Sequence, residues 1–314
     1  MTPPVAPDTA RGLRWVLGTR GSRLALAQSR WVEQSLRSAL PGLEIEIRMV
    51  KTAGDVLTAV PIASGESVGL FVREIEQELL EGRIDLAVHS LKDLPLAQPQ
   101  GLRIGAIPVR EDPRDVLVTR DGRSLQELDP GAKVGTGSPR RIGQIRALRA
   151  DLRFEPVRGN IDTRLRKLEE GVVDALVLAA AGLRRIGASS ERVHPIPFEQ
   201  MLPAPGQGAL ALEIRDGEPQ REEMLRKVMQ DAPAACEIRA ERAFLGALGG
   251  GCQMPVGCLG RVTGATLDLE GVVSAPDGSR LIRARAQGSA EYPEELGLEL
   301  GRRLLFEGAG EILG

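Results

Sequence analysis

Two stretches decide the fold: VLGTRGSR at 16–23 and KVGTGSPRR at 133–141. In each, a short apolar run ends in Gly-Thr, small residues and arginines follow, and helical periodicity takes over. That is how a strand gives way to a helix in an α/β unit. A second stretch is also used twice, EGRIDLAVHS at 81–90 and EGVVDALVLA at 170–179. The first pair lies 117 residues apart and the second 89. The likeness is therefore of units rather than of a strict tandem repeat.

Working outward, RWVLGT (14–19), LEIEIRMV (43–50), DLAVHS (85–90) and LRIGAIPV (102–109) read as strands. Helical spacing of apolar residues runs over 22–40 and 71–82. The pattern predicts two α/β domains of similar build on mostly parallel sheets. Ligands of such sheets sit beyond the carboxyl ends of the strands, so a cleft between the domains is expected. EDPRD (111–115) and LPAPGQG (202–208) place proline beside turn formers, as two hinge strands would. Domain one then covers 14–110 with 209–228, and domain two covers 115–202. After about residue 230 the style changes. A helix over 231–249 runs into GGGCQMPVG (249–257). GATLDLEGVVSA and SRLIRARAQG flank PDG as an antiparallel hairpin, and an amphipathic helix ends near Phe306. This third, α+β domain covers 231–314.

Composition sets bounds. The 314 residues are 42% hydrophobic, enough for two or three cores. A net charge of −2 asks for neither nucleic acid nor an anionic membrane as a bulk partner. Three cysteines and two histidines exclude a disulfide framework and argue against a multi-ligand zinc site, so no metal is expected. The start, MTPPVAPDTARG, carries no apolar signal-type segment, and a cytoplasmic chain that works as a monomer is expected. Of the 41 cations only 5 are lysine and 36 are arginine. Genomic bias accounts for most of them, and position must single out the rest.

Several stretches can carry chemistry. GTRGSR (18–23) and GTGSPRR (135–141) put Arg20, Ser22 and Arg23, and Ser138, Arg140 and Arg141, where helices begin. Free backbone N–H groups, a positive dipole end and forked donors make an anion site there. VRGNIDTR (157–164) repeats the theme with Arg158 and Arg164, which suggests a ligand with several carboxylates. In DLAVHSLKDLP (85–95), Asp93 follows a buried strand and lies beside Lys92. It can steady a developing positive charge or move a proton. The plainer reading is that Ser90 and Asp93 cap a turn. His89 reads as a packed strand histidine. Phe71 opens a helix as a core residue or as a stacking surface, and 53–69 lacks periodicity, as a lid does. Cys236 and Cys258 read as small hydrophobes. Cys252, among glycines, is a structural thiol, a nucleophile or a covalent anchor, and physical chemistry alone leaves all three open.

GTRGSRLALAQ, GLFVREIE, DLAVHSLKDLP, REDPRD, VGTGSPRR, RGNIDTRLRKL, LPAPGQGA and ERAFL followed by GGGCQMPVG together resemble the porphobilinogen deaminase (hydroxymethylbilane synthase) family, in that family's order. The resemblance runs from about residue 16 to 257. It implies two similar periplasmic-binding-protein-like α/β domains with a cleft and two hinge strands, plus a small C-terminal α+β domain. It also implies a transferase that adds four porphobilinogen molecules to a covalent dipyrromethane cofactor, loses ammonia at each addition, and releases hydroxymethylbilane with water. On this reading Cys252 is the thioether anchor and Asp93, with Lys92 beside it, is catalytic. Ser138, Arg140 and Arg141 hold the cofactor. Arg20, Ser22, Arg158, Arg164, Phe71 and Gln207 contact substrate, and Gly208 lies near. The family often has lysine where this chain has Val68, and Arg73 is the nearest replacement. The rival reading from another class is a two-domain anion receptor, or the effector domain of a regulator, with no covalent group at Cys252.

Overall fold

The computed structural model describes residues 12–52, 72–188, 191–251 and 254–314. By the density of internal contacts the chain forms two units, one of residues up to Arg110 with Ala209–Ala235, the other of Glu111–Gly208 with Cys236–Gly314.

In the first unit, β1 (Arg14–Thr19) leads to α1 (Arg23–Ala39) and β2 (Glu44–Met49), and α2 (Arg73–Leu80) to β3 (Leu86–Ser90). β4 (Leu102–Ala106) is joined much later by β10 (Leu210–Arg215) and α6 (Pro219–Met229). The sheet order is β2-β1-β3-β10-β4. α1 forms because Val32 and Leu36 fall on one face, and that face packs on Trp15, Leu17 and Leu86. α2 covers the other side with Ile75 and Leu79 against Ile84 and Ala87.

The second unit repeats this order as β7-β6-β8-β5-β9. Its strands are β5 (Asp115–Thr119), β6 (Lys133–Gly135), β7 (Arg153–Glu155), β8 (Ala175–Ala179) and β9 (Val193–Pro195). α3 (Pro139–Leu148), α4 (Ile161–Glu169) and α5 (Ala180–Arg185) connect them.

The doubled motifs have physical reasons. Asp85 accepts from the Val16 N–H at 2.9 Å, and Asp174 accepts from the Lys133 N–H at 2.8 Å. Each aspartate thus satisfies a main-chain N–H of the neighbouring parallel strand and helps fix its register. Gly82 and Gly171, with φ of +70° and +74°, end α2 and α4 in the left-handed conformation, where a side chain is strained. The N–H groups of Gly82 and Arg83 bond to Leu79 and Glu78, and those of Gly171 and Val172 bond to Leu168 and Lys167. A β-carbon at Gly135 would lie 2.7 Å from Leu176, and one at Gly18 would overlap Ile84. These glycines let the sheet meet its covering residues closely.

Each sheet is mixed: four strands run in one direction, as expected, and one inserted strand runs against them. β10 is antiparallel to β3 and β4, and β5 to β8 and β9. The cause is connectivity. β5 and β10 each enter their sheet straight from a segment where the chain passes between units. They start at the carboxyl ends of their neighbours, with Leu210 opposite Ser90 and Asp115 opposite Ala179.

The C-terminal part has three antiparallel strands, β11 (Val256–Thr263), β12 (Thr266–Ser274) and β13 (Leu281–Ser289). The hairpin of the sequence reading is present, and β11 extends it. α7 (Ala232–Ala247) and α8 (Pro293–Leu304) pack on this sheet, with Phe244 wholly buried. A kink at Gly308 then precedes the short α9 (Gly310–Leu313), so the expected end near Phe306 is a change of helical register. α8 meets α7 through Gly297 and Gly301, which face Ala243 and Ala247. A β-carbon at Gly297 would overlap the Ala240 carbonyl. Gly297→Ala is therefore expected to destabilise the protein by about 1–3 kcal/mol through overpacking. Denaturant unfolding of the variant beside the parent checks this, and an unchanged midpoint contradicts it.

Candidate active site

β3 ends at Ser90 and turns into a single 3-10 turn, Leu91–Asp93. The Leu91 N–H bonds to the Ala209 carbonyl at 3.1 Å, and the Leu94 N–H to Leu91 at 3.1 Å. This leaves Asp93 exposed and Lys92 half-buried. Ser90 does not cap the turn with its side chain. Its Oγ instead accepts from Gln28 Nε2 at 2.9 Å, which pins the end of β3 to α1.

The same unit also holds a buried polar cluster. His89 is packed, as its strand position implies, with Nε2 3.0 Å from Glu213 Oε2 on β10. Glu213 Oε1 and Glu76 Oε1 are buried and have no hydrogen-bond partner. Burial pushes the Glu76 carboxyl above its ordinary range and Glu213 pushes it further, while His89 and Arg73 oppose them.

The helix starts carry the other candidates. Ser22 caps α1, its Oγ accepting from the Ala25 N–H at 3.3 Å. Arg20 is half-buried and Arg23 exposed beside it. Ser138 stands at the N-cap position of α3 with Pro139 following, but its hydroxyl makes no capping bond. The Ser138 N–H donates to Thr136 Oγ1 at 3.2 Å. Asn160 caps α4 by accepting from the Thr163 N–H at 2.9 Å. Arg158 is exposed just before that cap, and Arg164 Nε donates to the Gly159 carbonyl at 2.8 Å.

Arg140 and Arg141 stand at a helix start but are not solvated. They are 3% and 7% exposed, and both face the wholly buried Asp115. Arg140 Nη1 lies 2.6 Å from Asp115 Oδ2 and also donates to the Leu202 carbonyl at 2.7 Å. Arg141 Nη2 lies 2.7 Å from Asp115 Oδ1, and its Nη1 donates to the Val177 carbonyl at 2.9 Å. Burial pulls the Arg140 pKa down from its usual value, Asp115 pushes it back, and Arg141 pulls it down again. Gln207 is wholly buried here too, its amide donating to the Pro113 carbonyl at 2.8 Å and to Asp115 Oδ1 at 3.1 Å.

Cys252 and Phe71, with Val68 and the 53–69 stretch, lie outside the described residues. Cys236 and Cys258 are buried in the core of the C-terminal part. Among the described residues no cluster of three or more metal-ligating side chains occurs, and no helix is long and apolar enough to cross a membrane.

Sequence reasoning missed Asp115, Glu241, Gln144 and Arg185. Glu241, wholly buried on α7, accepts from the N–H groups of Gly206 and Gly260 at 2.7 and 2.8 Å. Gln144 brackets Leu202, accepting from its N–H at 2.8 Å and donating to its carbonyl at 3.1 Å. Arg185 donates to the Gly208 carbonyl at 2.6 Å, and burial pulls its pKa to about 10 against the pull of Glu111. The signal for Asp115 was present in REDPRD, but only the turn character of that stretch was legible.

Fold and site together define a class: a chain of twin α/β sheets, each with an inserted antiparallel strand, that bears guanidiniums at helix starts and an exposed carboxylate beyond β3. Comparison with known proteins narrows it. A family model described as "Porphobilinogen deaminase, dipyromethane cofactor binding domain" matches residues 15–223, and one described as "Porphobilinogen deaminase, C-terminal domain" matches 235–305. The porphobilinogen deaminase of Desulforudis audaxviator is 52% identical over 298 residues, 95% of this chain and 96% of that protein. The one from Thermus thermophilus is 49% identical over 299 residues, 95% of this chain and 97% of that protein. The solved structure of the probable amino-acid ABC transporter extracellular-binding protein ytmK of Bacillus subtilis is 10% identical, with a TM-score of 0.42 over 68% of this chain and 89% of that one. The chain belongs to the porphobilinogen deaminase family.

The buried Glu76 yields a pH prediction. Its pKa is raised on folding, so its contribution is fully present below the ordinary value of 4.5 and is lost as pH rises through the higher folded value. Glu76→Gln keeps the shape of the protonated acid and does not titrate. The variant's Tm is expected to gain on the parent's as pH rises from about 4.5 and then to level off. A difference that stays flat over pH 4 to 8 overturns the assignment.

Proposed function

We propose that this chain joins four porphobilinogen molecules head to tail on a covalently held dipyrromethane, releasing ammonia at each addition and hydroxymethylbilane at the end. The observation that carries the reading is the pairing of two kinds of group. Asp93 is an exposed carboxylate on a turn held at Leu91 and Ser90, and guanidiniums stand at three helix starts. A ligand that develops positive charge on a ring and carries several carboxylates needs both.

The residues present fit the dipyrromethane group. Two buried guanidiniums face one protein carboxylate, which leaves a positive charge to be met by a ligand carboxylate. Arg140, Arg141 and Ser138 would hold that group, and Cys252 would anchor it through a thioether. When bound, it supplies the pyrrole to which the first substrate unit is joined.

Asp93 would take hydrogen bonds from the substrate pyrrole N–H and steady the cation that forms as ammonia leaves. Lys92 lies beside it as a neighbouring cation. Arg20, Ser22, Arg158 and Arg164 would bind substrate carboxylates, and Phe71 would lie against the pyrrole ring. Gln207 would act from behind, through its bond to Asp115. The chain would work as a cytoplasmic monomer, without nucleic acid, membrane or metal.

The test is the intact mass of the denatured protein, with Cys252→Ala alongside. An excess equal to two linked pyrroles, absent from the variant, is expected. A parent chain that stays bare after incubation with porphobilinogen or preformed hydroxymethylbilane overturns the proposal. Asp93→Asn is expected to keep the attached group and lower kcat by about a hundred-fold or more, with a smaller change in KM.

A further inference from the structure

Asp115 is the first residue of β5 and is wholly buried. Its Oδ1 accepts from Arg141 Nε at 2.9 Å, Arg141 Nη2 at 2.7 Å and Gln207 Nε2 at 3.1 Å. Its Oδ2 accepts from Arg140 Nη1 at 2.6 Å, and Arg140 Nη2 reaches Oδ1 at 3.3 Å. The forks are held from behind as well, by the carbonyls of Leu202 and Val177.

Two consequences follow from chemistry alone. First, the orientation of both planar guanidiniums is set by one carboxylate, because each approaches it through two nitrogens. Second, the cluster holds two positive charges against one negative. A buried charge without a counter-charge is costly, so the excess favours one further anion at this place. The forks can accept one. They make six hydrogen bonds to protein acceptors, and each guanidinium carries five N–H groups.

We infer that Asp115 is the positioning residue of the arginine pair, holding Arg140 and Arg141 in the orientation that receives a single carboxylate of the dipyrromethane. It acts through the arginines and touches neither substrate nor reacting atoms. It also ties the pair to both segments where the chain passes between units. Asp115 lies at the end of the first, while Leu202 and Gln207 belong to the second. This inference rests on the deaminase reading above.

The experiment uses the full chain and two variants. Asp115→Asn keeps the side-chain shape and loses the charge. Asp115→Ala leaves a gap the size of a small carboxylate between two guanidiniums. Attachment of the primer is followed by intact mass after incubation with preformed hydroxymethylbilane, and folding by circular dichroism and Tm. Asp115→Asn is expected to fold and to load about ten-fold more slowly than the parent. Its loaded fraction is expected to keep a KM for porphobilinogen within about two-fold of the parent's, which general damage to the fold would not spare. For Asp115→Ala, millimolar formate is expected to raise Tm and restore loading, and chloride at equal ionic strength is not. If that variant folds only in formate, the inference is supported.

Asp115→Asn loading at the parental rate, or Asp115→Ala gaining nothing from formate, overturns it. A parent chain that never gains the primer mass sinks the deaminase reading instead. The formate dependence of Tm still decides the role of Asp115 in that case.

Discussion

One buried carboxylate organises the second unit. Asp115 accepts from two guanidiniums and an amide, and those donors come from α3 and from the segment that precedes β10. Ion pairs out of water are not stabilising by default, since several kcal/mol of desolvation must be offset for each ion. Here the offset comes from geometry. Each guanidinium also bonds a main-chain carbonyl, so the lone pairs of Leu202 and Val177 are satisfied by the same forks. Removing Asp115 would leave two guanidiniums in the interior without their counter-charge, at a cost of about 3–5 kcal/mol.

Much of the fold was legible in the sequence because it depends on local signals. β1 was readable to the residue, since RWVLGT runs from one charged residue into the polar turn Arg20-Gly21-Ser22. The start of α1 follows from the Ser22 cap, and that of α3 from proline at the first helical position. The antiparallel sense of β5 and β10 was not legible, because a strand's direction in a sheet depends on where the chain enters and leaves no mark on its composition. β11 was missed for a related reason. VGCLGRVT holds two glycines and a cysteine, and only cross-strand pairing with β12 makes it a strand.

For the site, residue types pointed to anion chemistry, but burial was hidden. GTGSPRR reads the same whether its arginines face water or a protein carboxylate. Asp115 sits about 25 residues away in sequence, beyond any helical or turn spacing. His89 and Glu213, 124 positions apart, meet only because β10 inserts between β3 and β4. The two sheets also differ where they match in position. Ser90-Leu91-Lys92-Asp93 at the end of β3 corresponds to Ala179-Ala180-Ala181-Gly182 at the end of β8. One copy of the architecture bears reactive groups there, and the other opens a short helix of small residues.

The inserted fourth strand has a further consequence during synthesis. The second unit's sheet draws all five strands from one run of chain, 115–195, so it can close as soon as that run has emerged. The first sheet cannot. β10 lies between β3 and β4, and until residue 215 is made, β4 has no neighbour and β3 is an open edge. Open edges recruit foreign strands, and chains of this size fold piecewise as they emerge. The older sheet in the order of translation is therefore the later to be completed. The strand that closes it arrives directly behind the Pro-rich segment 202–208.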